Sequence, residues 1–301
     1  MRIFRLFLLL ISLSLSRFGL AQDSPRRHMN FDNDWRFHLG NASDPARDFN
    51  YSIRTIFAKS GDASGTAIDP RFDDHGWRSL NLPHDWVVEL PFADVNNPDV
   101  KSHGYKPVGG LFPATSIGWY RKHFRVNRAD SGSRFQLQFD GIYRNARIWL
   151  NGFYVGNIMS GYIGNSYDVT DYLNYTGDNV LVVRVDATQY EGWFYEGAGI
   201  YRHVWLNQYD NVHLADGGQY IYSTLKGENA EVTAEATVDN QGTSLSHCSV
   251  YSYLTDRDGK VLVSTREQPL EVEAGGSGML KQTLSLKNPR LWGIDDPYLY
   301  R

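Results

Sequence analysis

Beyond residue 21 the chain alternates apolar and polar positions with a period of two and nowhere sustains the 3.6-residue period of a helix. Residues 134–139 (RFQLQF) alternate cleanly and predict a strand with one buried face. Residues 146–150 (ARIWL), the pair Asn151-Gly152 and residues 153–156 (FYVG) predict a hairpin, because Asn-Gly supplies the two positive φ angles that match strand twist. Residues 179–185 (NVLVVRV) are almost continuously apolar, which predicts a strand covered on both faces. Residues 201–206 (YRHVWL) close this first set of strands. One short helical turn is expected at 168–173 (DVTDYL), where Asp168 stands ready to cap free N–H groups.

A second set of strands starts after Asp216-Gly217-Gly218. Residues 231–238 (EVTAEATV) alternate, 248–254 (CSVYSYL) and 260–264 (KVLVS) flank the turn Asp256-Arg257-Asp258-Gly259, and 280–286 (LKQTLSL) follow. The expected fold is all-β: a jelly-roll β-sandwich over 28–215, then an immunoglobulin-like β-sandwich over 217–301. The second is expected to be incomplete. From residue 217 onward 85 residues remain, against about 100 for such a domain, and 297–301 (PYLYR) read as a strand cut short. An incomplete sandwich would expose a strand edge and apolar faces.

Composition narrows the classes of function. Arg2 and Arg5, the apolar stretch 7–16 and the small residues of Gly19-Leu20-Ala21 predict a signal peptide over 1–21, too short to serve as a stable membrane anchor. The protein is therefore expected to be exported, either periplasmic or secreted. Removing 1–21 takes three arginines and no carboxylate, moving the formal charge from −4 to −7. An acidic chain without clustered Lys and Arg has no footprint for nucleic acid. Cys248 is the only cysteine, so no intrachain disulfide can form and the core must hold the fold together. Aromatic residues make up 14% of the chain, which suits β-structure first and sugar-facing surfaces second.

The single-letter chemistry is mostly structural. Trp77, Trp86, Trp119 and Trp149 sit in strand or strand-entry patterns and are read as core. His84-Asp85 is read as a hydrogen-bonded turn, since no suitably placed nucleophile accompanies it. The histidines lack paired ligand spacing, so no metal is expected. Gly109-Gly110 and 275–278 do not open a helix after a strand, so no phosphate-bearing cofactor is expected either. The richest candidate is 186–199 (DATQYEGWFYEGAG), which leaves the buried strand carrying Asp186, Trp193, Tyr195 and Glu196. Carboxylates accept bonds from sugar hydroxyls while aromatic rings pack on the less polar face of a pyranose. The alternative is that Trp193, Tyr195 and Glu196 pack at an interdomain contact. Residues 95–113, polar and rich in Gly and Pro, are either a loop reaching a neighbouring pocket or a solvated connector.

Six ordered motifs carry a family resemblance: 73–86 (DDHGWRSLNLPHDW), 118–124 (GWYRKHF), 139–156 (FDGIYRNARIWLNGFYVG), 167–185 (YDVTDYLNYTGDNVLVVRV), 193–206 (WFYEGAGIYRHVWL) and 289–300 (PRLWGIDDPYLY). On these the chain resembles the N-terminal half of glycoside hydrolase family 2, nearest its exported β-galactosidase-like members. The resemblance implies a jelly roll, an immunoglobulin-like domain and then a (β/α)₈ barrel with both catalytic glutamates. This chain has no Asn-Glu dipeptide, the family's acid/base signature, and no strand–helix alternation for a barrel. No residue is therefore assigned as catalytic, and the chain alone is expected to be inactive. The resemblance further implies that Asp186 is lent to the parent enzyme's active site. The partner is then a β-linked saccharide bound through that enzyme, and a homo-oligomer of the full-length enzyme is left open. The competing reading is a free-standing carbohydrate-binding module without hydrolase activity.

Overall fold

The computed structural model of the protein describes residues 26–52, 64–89, 117–188 and 196–301. Among them the fold is all-β, with helix confined to short 3₁₀ turns at Trp86–Glu89, Arg128–Asp130 and Thr170–Tyr172. The last is the turn expected at 168–173, and Asp168 Oδ1 accepts from the Thr170 N–H at 3.0 Å.

The first sandwich runs through β1 (Arg27–Asn30), β2 (Trp35–Leu39), β3 (Arg78–Leu80), β4 (Ile117–Phe124), β5 (Arg134–Phe139), β6 (Ala146–Leu150), β7 (Phe153–Ile158), β8 (Asn165–Asp168), β9 (Asn179–Asp186) and β10 (Val204–Tyr209). A six-stranded sheet in the order β3-β2-β4-β9-β6-β7 faces a four-stranded one in the order β1-β10-β5-β8. The β6–β7 hairpin turns at Asn151 and Gly152, with φ of +53° and +83°.

The apolar run of β9 follows from its place between β4 and β6. Leu181, Val183 and Val185 enter the core between the sheets with Tyr120, Phe135 and Phe139. Val180 and Val182 point the other way, into a second cluster with Trp77, Trp119, Trp149 and Ile68. The outer face of the six-stranded sheet is thus covered by segments 41–52 and 64–77, and all four tryptophans read as core are buried. Arg121 fastens this cover. Fully buried, it donates to Asp74 Oδ2 at 2.7 Å, to Asp69 O at 3.2 Å and to the Ala67 carbonyl.

Two strand readings need correction. The strand expected at 201–206 is β10 and starts at Val204, because Ala198 and Ile200 accept backbone bonds from Trp86 and His84 instead. The segment 248–254 is two strands, one pairing with each of two different partners.

The second sandwich comprises β11 (Val212–Lys226), β12 (Asn229–Asn240), β13 (Ser246–Val250), β14 (Tyr253–Thr255), β15 (Val261–Ser264), β16 (Gln268–Val272) and β17 (Ser277–Lys287). They form a three-stranded sheet β11-β12-β17 and the pairs β13-β16 and β14-β15. The expected break at Asp216-Gly217-Gly218 is a bulge inside β11: pairing with β12 shifts register between Leu214 and Gln219, and Gly217 takes φ +65°.

Candidate functional site

The site is built at the C-terminal end of β9. Asp186, its last residue, stands opposite Ile117 of β4 and donates its N–H to Arg144 O at 3.1 Å. Its carboxylate leaves the sheet 29% exposed. Oδ1 accepts from the Thr188 hydroxyl at 2.6 Å and the Thr188 N–H at 3.2 Å, while Oδ2 lies 3.7 Å from Arg184 Nη1. A carboxylate held this way keeps lone pairs toward solvent and is oriented before any ligand arrives.

Arg184 supplies that orientation because it is itself locked. Its Nε and Nη2 donate to Asp48 Oδ2 at 3.0 and 2.7 Å, and both partners are buried. Asp48 Oδ1 accepts from Trp119 Nε1 at 2.7 Å. The guanidinium stacks on the Tyr51 ring, 4.2 Å from its centroid, and the Tyr51 hydroxyl accepts from Arg147 at 2.7 Å. Burial raises the Tyr51 hydroxyl above its ordinary pKa, with the charges of Arg147 and Arg184 opposing. Two cations, two carboxylates and a phenol thus share the outer face of the sheet near the end of β9.

A second group lies around Tyr143 and Arg144. Tyr143 and Gly199 exchange backbone bonds at 2.9 and 2.7 Å, tying the 196–200 segment to the start of β6. Gly199 has φ +128°, and a Cβ there would fall 2.5 Å from His84 O, so glycine is required. Burial pushes the Tyr143 hydroxyl up to about 12; the Arg144 hydrogen bond opposes this and the charge of Glu196 adds to it. Glu196 is 3% exposed, so its carboxylate belongs to this buried group rather than to the surface. Asp85 accepts from the N–H groups of Val87 and Ala198, both at 3.0 Å, and His84 Nδ1 pairs with the Tyr120 hydroxyl at 2.7 Å. His84-Asp85 is the hydrogen-bonded turn anticipated from the sequence.

Of the four candidates, the described residues include Asp186, bonded to Arg144, and the buried Glu196, whose charge acts on Tyr143. Trp193, Tyr195 and residues 95–113 lie outside the described residues. Among the described residues no group of three His, Cys, Asp or Glu is arranged to hold a metal. Sequence reasoning missed Arg184, Asp48 and Tyr51. The signal was present: an arginine in an otherwise apolar, doubly covered strand demands a buried counter-charge.

Comparison with known proteins places these elements. A family model described as "Glycosyl hydrolase 2 galactose-binding domain-like" matches residues 114–211, and one described as "Glycosyl hydrolases family 2" matches 212–301. Together they run without a gap over more than half of the chain. A β-galactosidase of Bacteroides ovatus is 38% identical over 92% of this chain and 29% of its own length. A β-galactosidase of Thermoanaerobacter pseudethanolicus is 29% identical over 71% of this chain and 28% of its own. The crystal structure of a glycosyl hydrolase family 2 member from Bacteroides cellulosilyticus superposes with a TM-score of 0.72 at 29% identity, covering 91% of this chain and 33% of that one. A β-glucuronidase of glycoside hydrolase family 2 superposes with a TM-score of 0.75 at 22% identity over 92% of this chain and 28% of its own, a likeness of fold. The chain spans less than a third of the length of the curated relatives named here.

Proposed function

Because the chain belongs to glycoside hydrolase family 2, we propose that it is the N-terminal, non-catalytic portion of an exported retaining exo-β-glycosidase, in first place a β-galactosidase. The observation that carries this reading is 38% identity to a β-galactosidase across nearly the whole chain. Hydrolysis of O-glycosyl bonds with retention needs two carboxyl groups about 5 to 5.5 Å apart. In this reading both come from a barrel elsewhere in the polypeptide. The first sandwich lends Asp186 to the sugar, its carboxylate aimed by Arg184 and Thr188, to accept a bond from a hydroxyl of the β-linked saccharide. Trp193 and Tyr195 belong to the same contact segment, with Glu196 as its buried anchor. Export rests on residues 1–21, which lie outside the described residues.

The test compares the product of the gene read past Arg301 with residues 22–301 alone, on nitrophenyl-β-galactoside and nitrophenyl-β-glucuronide. The longer product is expected to release nitrophenol from the galactoside, and the shorter one from neither. Asp186→Ala in the longer product is expected to lower kcat/KM by roughly 10- to 100-fold, the cost of one charge-assisted hydrogen bond. Turnover by purified residues 22–301 would overturn the non-catalytic assignment. A longer product acting only on the glucuronide would move the substrate class.

A further inference from the structure

Arg184 of β9 and Arg147 of β6 stand directly opposite each other in the six-stranded sheet, on its outer face. Like charges in register repel, so such a pair persists only where nearby groups compensate it. Two carboxylates and a phenol do so here. Asp48 comes from the covering segment, Asp186 ends β9, and the Tyr51 hydroxyl accepts from Arg147 at 2.7 Å. Asp48 is buried, whereas Asp186 is the carboxylate that reaches solvent.

The Arg184 guanidinium is divided unequally between the two carboxylates. Its Nε and Nη2 both donate to Asp48 Oδ2, at 3.0 and 2.7 Å, while Nη1 lies 3.7 Å from Asp186 Oδ2. That gap is within reach of charge but beyond a hydrogen bond. Arg184 therefore acts on Asp186 without occupying its lone pairs. Asp48 is held in turn by Trp119 Nε1, which donates to its Oδ1 at 2.7 Å. Residue 40 has to be glycine for that oxygen to fit, since a Cβ there would fall 2.2 Å from it. The Tyr51 ring, its centroid 4.2 Å from Arg184 Cζ, packs on the guanidinium and restrains its rotation. An arginine beside a carboxylate favours two parallel hydrogen bonds. This arrangement gives both to Asp48 and withholds them from Asp186.

We propose that Asp48 is a remote positioning residue of the sugar contact: by saturating Arg184 it keeps the guanidinium from closing on Asp186, and so leaves the Asp186 carboxylate free for a hydroxyl of the saccharide. With Asp48 neutral, the two guanidiniums share the one carboxylate left in this group. Arg184 then swings into a bidentate pair with Asp186, and the sugar hydroxyl loses its acceptor. Asp48 touches no substrate and acts only through Arg184. The proposal rests on the reading of Asp186 as a sugar contact.

The test uses the longer gene product and nitrophenyl glycosides of the sugar it hydrolyses, each lacking one hydroxyl. In the unsubstituted product, removing the hydroxyl that bonds to Asp186 is expected to lower kcat/KM by roughly tenfold or more. In Asp186→Ala the same removal should cost nothing. Asp48→Asn is expected to copy Asp186→Ala: that one hydroxyl falls silent, the others keep their effects, and the two substitutions together are no worse than either alone. A weakened fold would instead lower the rate on every substrate alike. Asp48→Asn/Arg184→Met removes the competing donor together with the group that holds it and leaves neither charge buried without its partner. It is expected to keep the discrimination that Asp48→Asn loses, and it decides alone where Asp48→Asn does not fold. Asp48→Asn that still discriminates at this hydroxyl, or a double variant that does not, overturns the proposal. An Asp186→Ala product in which no hydroxyl falls silent removes the sugar contact itself and the proposal with it, a result distinct from the other two.

Discussion

In the first sandwich β9 is apolar on both faces, and both faces are covered: Val183 by the opposing sheet and Val182 by the segments around Trp77 and Tyr51. In the second, β11 and β12 pair along eleven residue positions, yet Ile221 and Leu225 on β11 remain 65% and 56% exposed. Both clusters of buried apolar residues found among the described residues precede Tyr209. Strand pairing is therefore equally developed in the two halves, whereas burial is not. The ladder satisfies backbone groups, but the large favourable term in folding is apolar area removed from water. The comparison teaches that strand pairing alone does not build a core: the first half has one on each face of its large sheet, whereas the second leaves β11 side chains in water.

The sharpest way to break this comparison is to damage the covered outer face of the first sandwich. Trp119 is fully buried, stacks on Trp149 at 6.1 Å between ring centroids and donates to Asp48. Trp119→Ala is expected to cost about 3–5 kcal/mol in urea unfolding. Arg121→Met belongs in the same range, about 3–5 kcal/mol, because it leaves the Asp74 carboxylate buried without its counter-charge and frees the carbonyls of 67 and 69. Losses under 1 kcal/mol for either would show that the outer cover contributes little and that the two halves are more alike than their burial indicates.

A smaller effect follows from pH. Burial disfavours ionised Asp74, but hydrogen bonds from His123 and Arg121 outweigh it and hold its carboxyl down at about 2, against 3.8 when free. The stabilisation is thus fully present above 3.8 and is lost as pH falls through 2, amounting to roughly 2 kcal/mol. Unfolding followed from pH 5 to 2 should lose this increment, and Asp74→Asn should abolish that part of the slope. The second half has no equivalent. Arg290 lowers the pKa of Asp296 there, but that pair is exposed and screened by solvent.

What the sequence disclosed divides along the same line. Local chemistry was legible: Asn151-Gly152 turns the β6–β7 hairpin, and the apolar run of β9 announced two covers. The identity of the covers was not, because segments 41–52 and 64–77 have no period of their own and are held by Arg184 and Arg121 reaching back from distant strands. In the second half the run 248–254 looked like one strand. Its division between β16 and β15 is set by tertiary partners and leaves no mark on the alternation. Asp186 was singled out because a strand end followed by aromatic and acidic residues is conspicuous and because the family resemblance points to it. The buried Asp48, Tyr51 and Arg184 that aim it were not, since they meet only after folding.

The smallest expected effect sharpens the comparison most cleanly. Ile221 lies on a paired strand, as Trp119 does, but its side chain faces an open groove. Ile221→Thr keeps β-branching, so strand propensity changes little. With most of the side chain already in water, little burial is lost, and the cost should stay within about 0.5 kcal/mol. The same substitution removes apolar surface from an exposed face, so dye binding and aggregation of the 301-residue chain should both fall. A large cost would mean that Ile221 is covered in solution, and the contrast between the two halves would disappear.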